Sequence, residues 1–228
     1  MLYIKSFARK NNHARGQGIV ELALLFPVLL ILLSGLIEFG FMLNVYLTLM
    51  DSARNAARFA SDGQYNVGDN DRNCATTTHF YRQTACLVNQ ELRMEVPVIS
   101  MNDNGTPDDK RDDYLDPADN NEIVISAFSF TENVGITARH PDSDGWSYAI
   151  DLDFTPAYTT AFTTADVNNS LIDIDAPSTG YVLVEIFYNY HHQLGLPWIT
   201  AFVDNPLVLH AYAFMPLPSA EPTPTPIP

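Results

Sequence analysis

Positive charge is scarce in this chain. Its 228 residues hold 12 Lys and Arg against 27 Asp and Glu, a formal net of −15. That balance argues against nucleic-acid binding, because phosphate recognition depends on clustered basic side chains. Cysteine is scarcer still, with only Cys74 and Cys86. Two thiols cannot build a structural zinc site alone, and there is no C-x-x-C redox pair. G-x-S-x-G, H-E-x-x-H and phosphate-cradling glycine loops are also missing. The histidines form no site: His79, His140 and His210 lack i,i+4 partners and any nearby carboxylate pattern, and His191 and His192, adjacent on an expected strand, would point to opposite faces. No constellation points to an enzyme.

Acid is absent before Glu21, whereas Lys5, Arg9, Lys10 and Arg15 precede it. Subtracting those four from the 12 basic residues leaves 8 against 27 acids, so the rest of the chain stands at −19. A short basic leader is joined to a strongly acidic body. Between them, residues 22–43 form an apolar run with one charge, Glu38. About 20 helical residues cross a bilayer core, so the stretch is long enough to span, with a transmembrane segment at about 19–43. A secretory signal has a shorter apolar region and a small-residue cleavage boundary, which this run lacks. The basic flank places the N-terminus in the cytoplasm and the acidic body outside. Membrane lipid is therefore an expected partner.

A carboxylate in an apolar helix is costly and reads as functional, although Glu21 at the start of the run could also snorkel to the headgroups. Gly16 and Glu21, spaced Gly-x-x-x-x-Glu before an apolar helix, resemble the processing site of type IV pilins and pseudopilins. The resemblance narrows with Arg15-Gly16, Val20-Glu21-Leu22-Ala23-Leu24, Pro27-Val28-Leu29-Leu30 and Gly35-Leu36-Ile37-Glu38-Phe39-Gly40. Together these look like the signature of TadE-like pseudopilins of the tight-adherence (Tad, or Flp) pilus systems. It implies cutting by a prepilin peptidase after Gly16, so that Gln17 becomes the N-terminus. It also implies assembly with other pilin or pseudopilin subunits through Glu21, Pro27 and Glu38. The first residue would be Gln rather than the Phe common in major pilins, and a cut after Gly18 fits the spacing to Glu21 less well.

Pro27 removes a backbone hydrogen bond and is expected to kink the helix near Ala23. Glu38, about 26 Å of helix beyond Glu21, is expected either at the outer membrane interface or in an intersubunit contact. Leu49, Ala53, Ala56, Ala57 and Ala60 recur at helical steps, and Asp62-Gly63 is a stop. The spacing predicts a helix over residues 17–61, with two helices broken near Pro27 or Gly40 as the alternative.

Residues 62–215 read as an exported head. In an oxidising compartment Cys74 and Cys86 are expected to form a disulfide. A short amphipathic helix is expected at 81–94, and strands at 94–100, 122–130, 146–154, 180–191 and 206–215. In the fourth strand Val182, Val184, Ile186 and Tyr188 share one face, while Tyr181, Leu183, Glu185 and Phe187 share the other. The economical arrangement is α+β: an antiparallel sheet packed on the outer half of the long helix. The last strand also resembles that of TadE-like proteins.

The acidic loop 102–113 has a calcium-loop flavour, with Asp103 and Asp108 as weak ligand candidates. It fails the EF-hand spacing, and a solvated insertion is the simpler reading; no other cofactor is expected. Residues 142–145 read as a turn. Residues 216–228, rich in proline, form an extended tail. The function expected is a non-enzymatic pseudopilin or minor pilin. The alternative is a signal-anchored surface domain that binds a ligand and never assembles.

Overall fold

A computed structural model describes residues 14–94, 99–142 and 144–218. The leader up to residue 13, most of the expected strand at 94–100, Ser143 of the expected turn and the tail from residue 219 lie outside the described residues.

The N-terminal element, α1 (Ala14–Asp62), is one helix of 49 residues, about 73 Å at 1.5 Å per residue. It runs through Pro27, Gly35 and Gly40 without a break, so the two-helix alternative is not adopted. Its halves live in different surroundings. From Gly18 to Ile37 no side chain is buried, and the first buried residue is Glu38. Beyond it a stripe of Val45, Leu49, Ala53, Ala56, Ala57 and Ala60 is wholly enclosed. The stripe follows three- and four-residue steps, and its alanines let neighbouring backbones approach closely. At its end, the Gly63 N–H donates to the Ala60 carbonyl at 3.1 Å.

The second helix, α2 (Phe80–Met94), lies along the outer half of α1 and buries Phe80, Tyr81, Ala85, Val88 and Leu92. A Cys74–Cys86 disulfide ties the preceding loop to its middle. That loop is tightly ordered from within. Asp69 accepts from the Thr78 N–H at 2.5 Å and the Asp71 N–H at 2.9 Å, which hold its carboxyl down at about 2. Arg82 links the loop to the body, donating to the Asp69 carbonyl at 2.8 Å while pairing with Asp151 at 2.8 Å. Replacing both cysteines by serine should lower the stability of the head by about 3 kcal/mol, through the entropy of the reopened loop. Urea unfolding of the two proteins without reductant measures it.

The sheet comprises β1 (Glu122–Thr131), β2 (Gly135–His140), β3 (Trp146–Ser147), β4 (Thr179–Tyr190) and β5 (Leu207–Leu217). Its order is β2-β1-β4-β5, every pairing antiparallel, with β3 also on β1. The fold is therefore α+β, as expected. Alternation along β4 holds. Val182, Val184, Ile186 and Tyr188 join the core with α1 and α2, whereas Leu183 joins a second cluster with Phe128 and Phe130. Residues 160–176, including the short helix α4 (Thr164–Asp166), cover that second face with Phe162, Val167 and Ile172. Coverage on both sides buries Glu185 completely. It accepts from the Ala161 N–H at 2.9 Å and the Thr160 hydroxyl at 2.5 Å, with His210 Nε2 at 3.1 Å.

Three expectations are corrected. The strand expected at 146–154 is two residues long and gives way to the helical turn α3 (Tyr148–Asp151). Glu122 is responsible: buried, its carboxyl pushed up by lost hydration, it accepts from Ser147 Oγ and the Ala149 N–H at 3.0 Å each. Ser147 in turn caps the turn by accepting from the Ile150 N–H. Second, His191 and His192 follow the end of β4 and are not strand residues on opposite faces. Third, His210 does have a carboxylate neighbour, Glu185, because β4 and β5 pair Phe187 with His210. The sequence reading also omitted β2, a short strand whose polar Thr137, Arg139 and His140 hide the pattern.

Candidate functional site

The features that distinguish this chain gather along α1. At its N-terminal end, Gly16 and Gln17 lie in the first turn, in helical backbone. Glu21 is exposed, and among the described residues it has no hydrogen-bond or ionic partner. It is surrounded by bare apolar side chains, such as Ile19 at 70% exposure and Leu24 at 72%. Pro27 lies inside the continuous helix and is exposed. An 18-residue window of this half is apolar enough to cross a membrane and has no buried residue. In a globular protein such a face would be covered by other elements. Among the described residues none covers it.

Glu38 is treated in the opposite way. It is only 4% exposed, and the head encloses it. Tyr190 Oη donates to its Oε1 at 2.7 Å, and the Gln193 N–H reaches the same oxygen at 2.9 Å. The Leu194 N–H donates to Oε2 at 2.9 Å. His192 Nδ1 lies 3.3 Å from Oε1, and its Nε2 sits 3.0 Å from the Asp204 carbonyl. Burying a carboxylate this deeply is tolerable only when several donors replace its water. The turn at the end of β4 provides them. β4 carries Tyr190 to the helix, and the two successive N–H groups beyond it point back at the carboxylate. Neither location considered for Glu38, at the interface or between subunits, anticipates this lock between the helix and its own head.

The chain then turns at Gly195 (φ +54°) into α5 (Pro197–Thr200), where Pro197 occupies the first turn without wasting a donor. Here the head touches α1 again, since Trp198 Nε1 donates to Ser34 Oγ at 3.0 Å. Between helix and loop lies a groove of about 470 Å³, lined by Ile31, Gly35, Phe39, Met42, Trp198 and Phe202 among others. The sequence marks neither Tyr190 nor Trp198, and His192, expected to form no site, sits against Glu38. Charge is no signal here, because residues 154–165 and 205–220 are uncharged as well.

The remaining candidates are simply placed. Cys74 and Cys86 are bonded to each other. In the acidic loop Asp103 accepts from the Gly105 N–H at 3.0 Å, and Asp112 from the Thr106 hydroxyl at 2.8 Å. Asp108 is exposed. Among the described residues no group of three His, Cys, Asp or Glu side chains is arranged to hold a metal ion.

Residues 16–58 match the family described as TadE-like protein. No curated protein and no solved structure matches the chain. The matched segment begins at the glycine of the processing-type motif and takes in Glu21, Pro27, Glu38 and most of the alanine stripe. Over that segment the N-terminal helix of this chain is similar to TadE-like proteins.

Proposed function

We propose that this protein is a pseudopilin or minor pilin subunit of a Tad-type pilus, with a structural rather than a catalytic role. It inserts into the membrane with its basic leader in the cytoplasm and its disulfide-bonded head outside. A prepilin peptidase cuts after Gly16, and the trimmed helix from Gln17 packs against those of other pilin or pseudopilin subunits. The observation that carries this reading is the inner half of α1, an uncovered apolar rod with the unpartnered carboxylate of Glu21 five residues after Gly16. A simple anchor has no use for that pair. After cleavage, the new α-amino group of one subunit can neutralise the Glu21 of a neighbour where water is scarce. Residues 1–16 then act as a removable topology signal, and residues 62–215 as the exposed body of the subunit.

The N-terminal peptide tests processing. Mass spectrometry of protein purified from a cell with an active Tad system should find a chain that begins at Gln17, and Gly16→Leu should abolish that trimming. A wild-type chain that begins at Met1 rejects processing and favours a signal-anchored surface domain.

A further inference from the structure

We infer that the loop from Leu194 to Val203 is a second membrane contact of the head, seated in the outer leaflet beside the helix that crosses it. This rests on the reading of α1 as membrane-inserted. The partner is lipid acyl chain and its headgroup boundary.

Three observations converge. First, depth is fixed by covalent and hydrogen-bond geometry. The apolar helix from Ile19 to Ile37 is about 28 Å long, close to a bilayer core of about 30 Å, which puts Glu38 near the outer boundary of the core. Trp198 is bonded to Ser34, four residues inside that boundary, or about 6 Å deeper. A head locked to Glu38 carries this loop into the lipid wherever α1 goes.

Second, the side chains suit that depth. Residues 194–203 include no charge, and the next charged residue is Asp204. Phe202 is 89% exposed, and Trp198, Leu194 and Val203 are each more than a third exposed. Among the described large apolar residues of the head, Phe202 is the barest. Third, the indole of Trp198 has its N–H satisfied and its ring free, the amphipathic arrangement that places Trp at membrane boundaries.

The chain has two tryptophans, which makes the test direct. Trp146 lies in the head, stacked on Tyr81 with ring centroids 5.7 Å apart. The full chain is reconstituted into phosphatidylcholine–phosphatidylglycerol vesicles as Trp146→Phe, leaving Trp198 as reporter, and as Trp198→Phe, leaving Trp146. Circular dichroism and retention on the vesicles after alkaline extraction confirm folding and insertion. The Trp198 reporter should show blue-shifted emission that is lost in vesicles of lipid brominated near the headgroup end of the acyl chain. The Trp146 reporter should be unaffected. Phe202→Asp, at a position too exposed to matter for folding, should restore much of the Trp198 emission. Unquenched Trp198 in a chain that survives extraction overturns the inference and leaves membrane insertion standing. Blue-shifted but unquenched emission places a second copy over the loop, and equally overturns it. A chain washed off by alkali removes the membrane reading itself.

Discussion

Glu38→Ala should loosen the turn after β4 from the helix. The substitution leaves the Tyr190 hydroxyl and the Gln193 and Leu194 N–H groups facing a carboxylate that is gone. Each buried donor left unpaired costs about 1–3 kcal/mol, and water entering the widened gap recovers part of that. A net loss of about 3 kcal/mol at this junction is expected, with the loop after β4 opening first. Tyr190→Phe removes one donor and keeps the acceptor satisfied by the two amides, so its cost should be about 1 kcal/mol. Glu38→Gln retains one acceptor oxygen but places an amide against two N–H donors, and should fall between them. Limited proteolysis of detergent-solubilised protein reads the effect as faster cleavage within residues 193–205, and urea unfolding of the head gives the energies. Membrane insertion should not change, because the substitution only removes the one charge from the apolar run of residues 22–43. Equal cleavage rates in wild type and Glu38→Ala would show that the lock carries no strength.

What could be read from residues alone follows from how local each signal is. The apolar run, the alanine stripe from Ala53 to Ala60 and the stop at Gly63 are periodic or adjacent features, and α1 follows them to within three residues at either end. β4 shows its alternation in its own side chains, with Val182, Val184 and Ile186 on the helix face. Where the outcome depends on a distant partner, the pattern misleads. Trp146–Ser147 leaves the strand early because Glu122, 25 residues upstream, is buried and takes its hydrogen bonds from Ser147 and Ala149. The same holds for the candidate site. Gly16, Glu21 and Glu38 stand out by spacing within a single helix, but Tyr190, which holds Glu38, is 152 residues away in sequence. Only the pairing of β4 with β5 and the packing of that pair on α1 bring it there. The family match ends at residue 58, before any of the residues that grip Glu38.

The two acids of α1 are thereby assigned opposite tasks, and this yields the largest effect expected of a single substitution. Glu38 is satisfied within the subunit, whereas Glu21 has no partner among the described residues and sits among exposed apolar side chains. A carboxylate in that setting costs energy unless it finds a cation, and the chain offers it no basic side chain on the outer side until Arg54. If the proposed cleavage occurs, the amine at Gln17 would be the cation that an assembled neighbour brings. Losing a desolvated ion pair by removing one member costs about 3 kcal/mol, which corresponds to roughly a hundredfold loss of association at each subunit contact. Glu21→Ala should therefore abolish incorporation into the filament while cleavage and membrane insertion continue. Glu21→Gln should fail as well, because an amide carries no charge, and Glu21→Asp should recover part of the signal. Quantifying the subunit in sheared pili against the membrane fraction separates assembly from insertion, and the N-terminal peptide from the membrane fraction confirms cleavage. Glu38→Ala supplies the contrast, with a loosened head on a helix whose Glu21 remains available for assembly. Wild-type recovery of Glu21→Ala in pili would remove Glu21 from the assembly contact and leave its exposed carboxylate to the lipid headgroups.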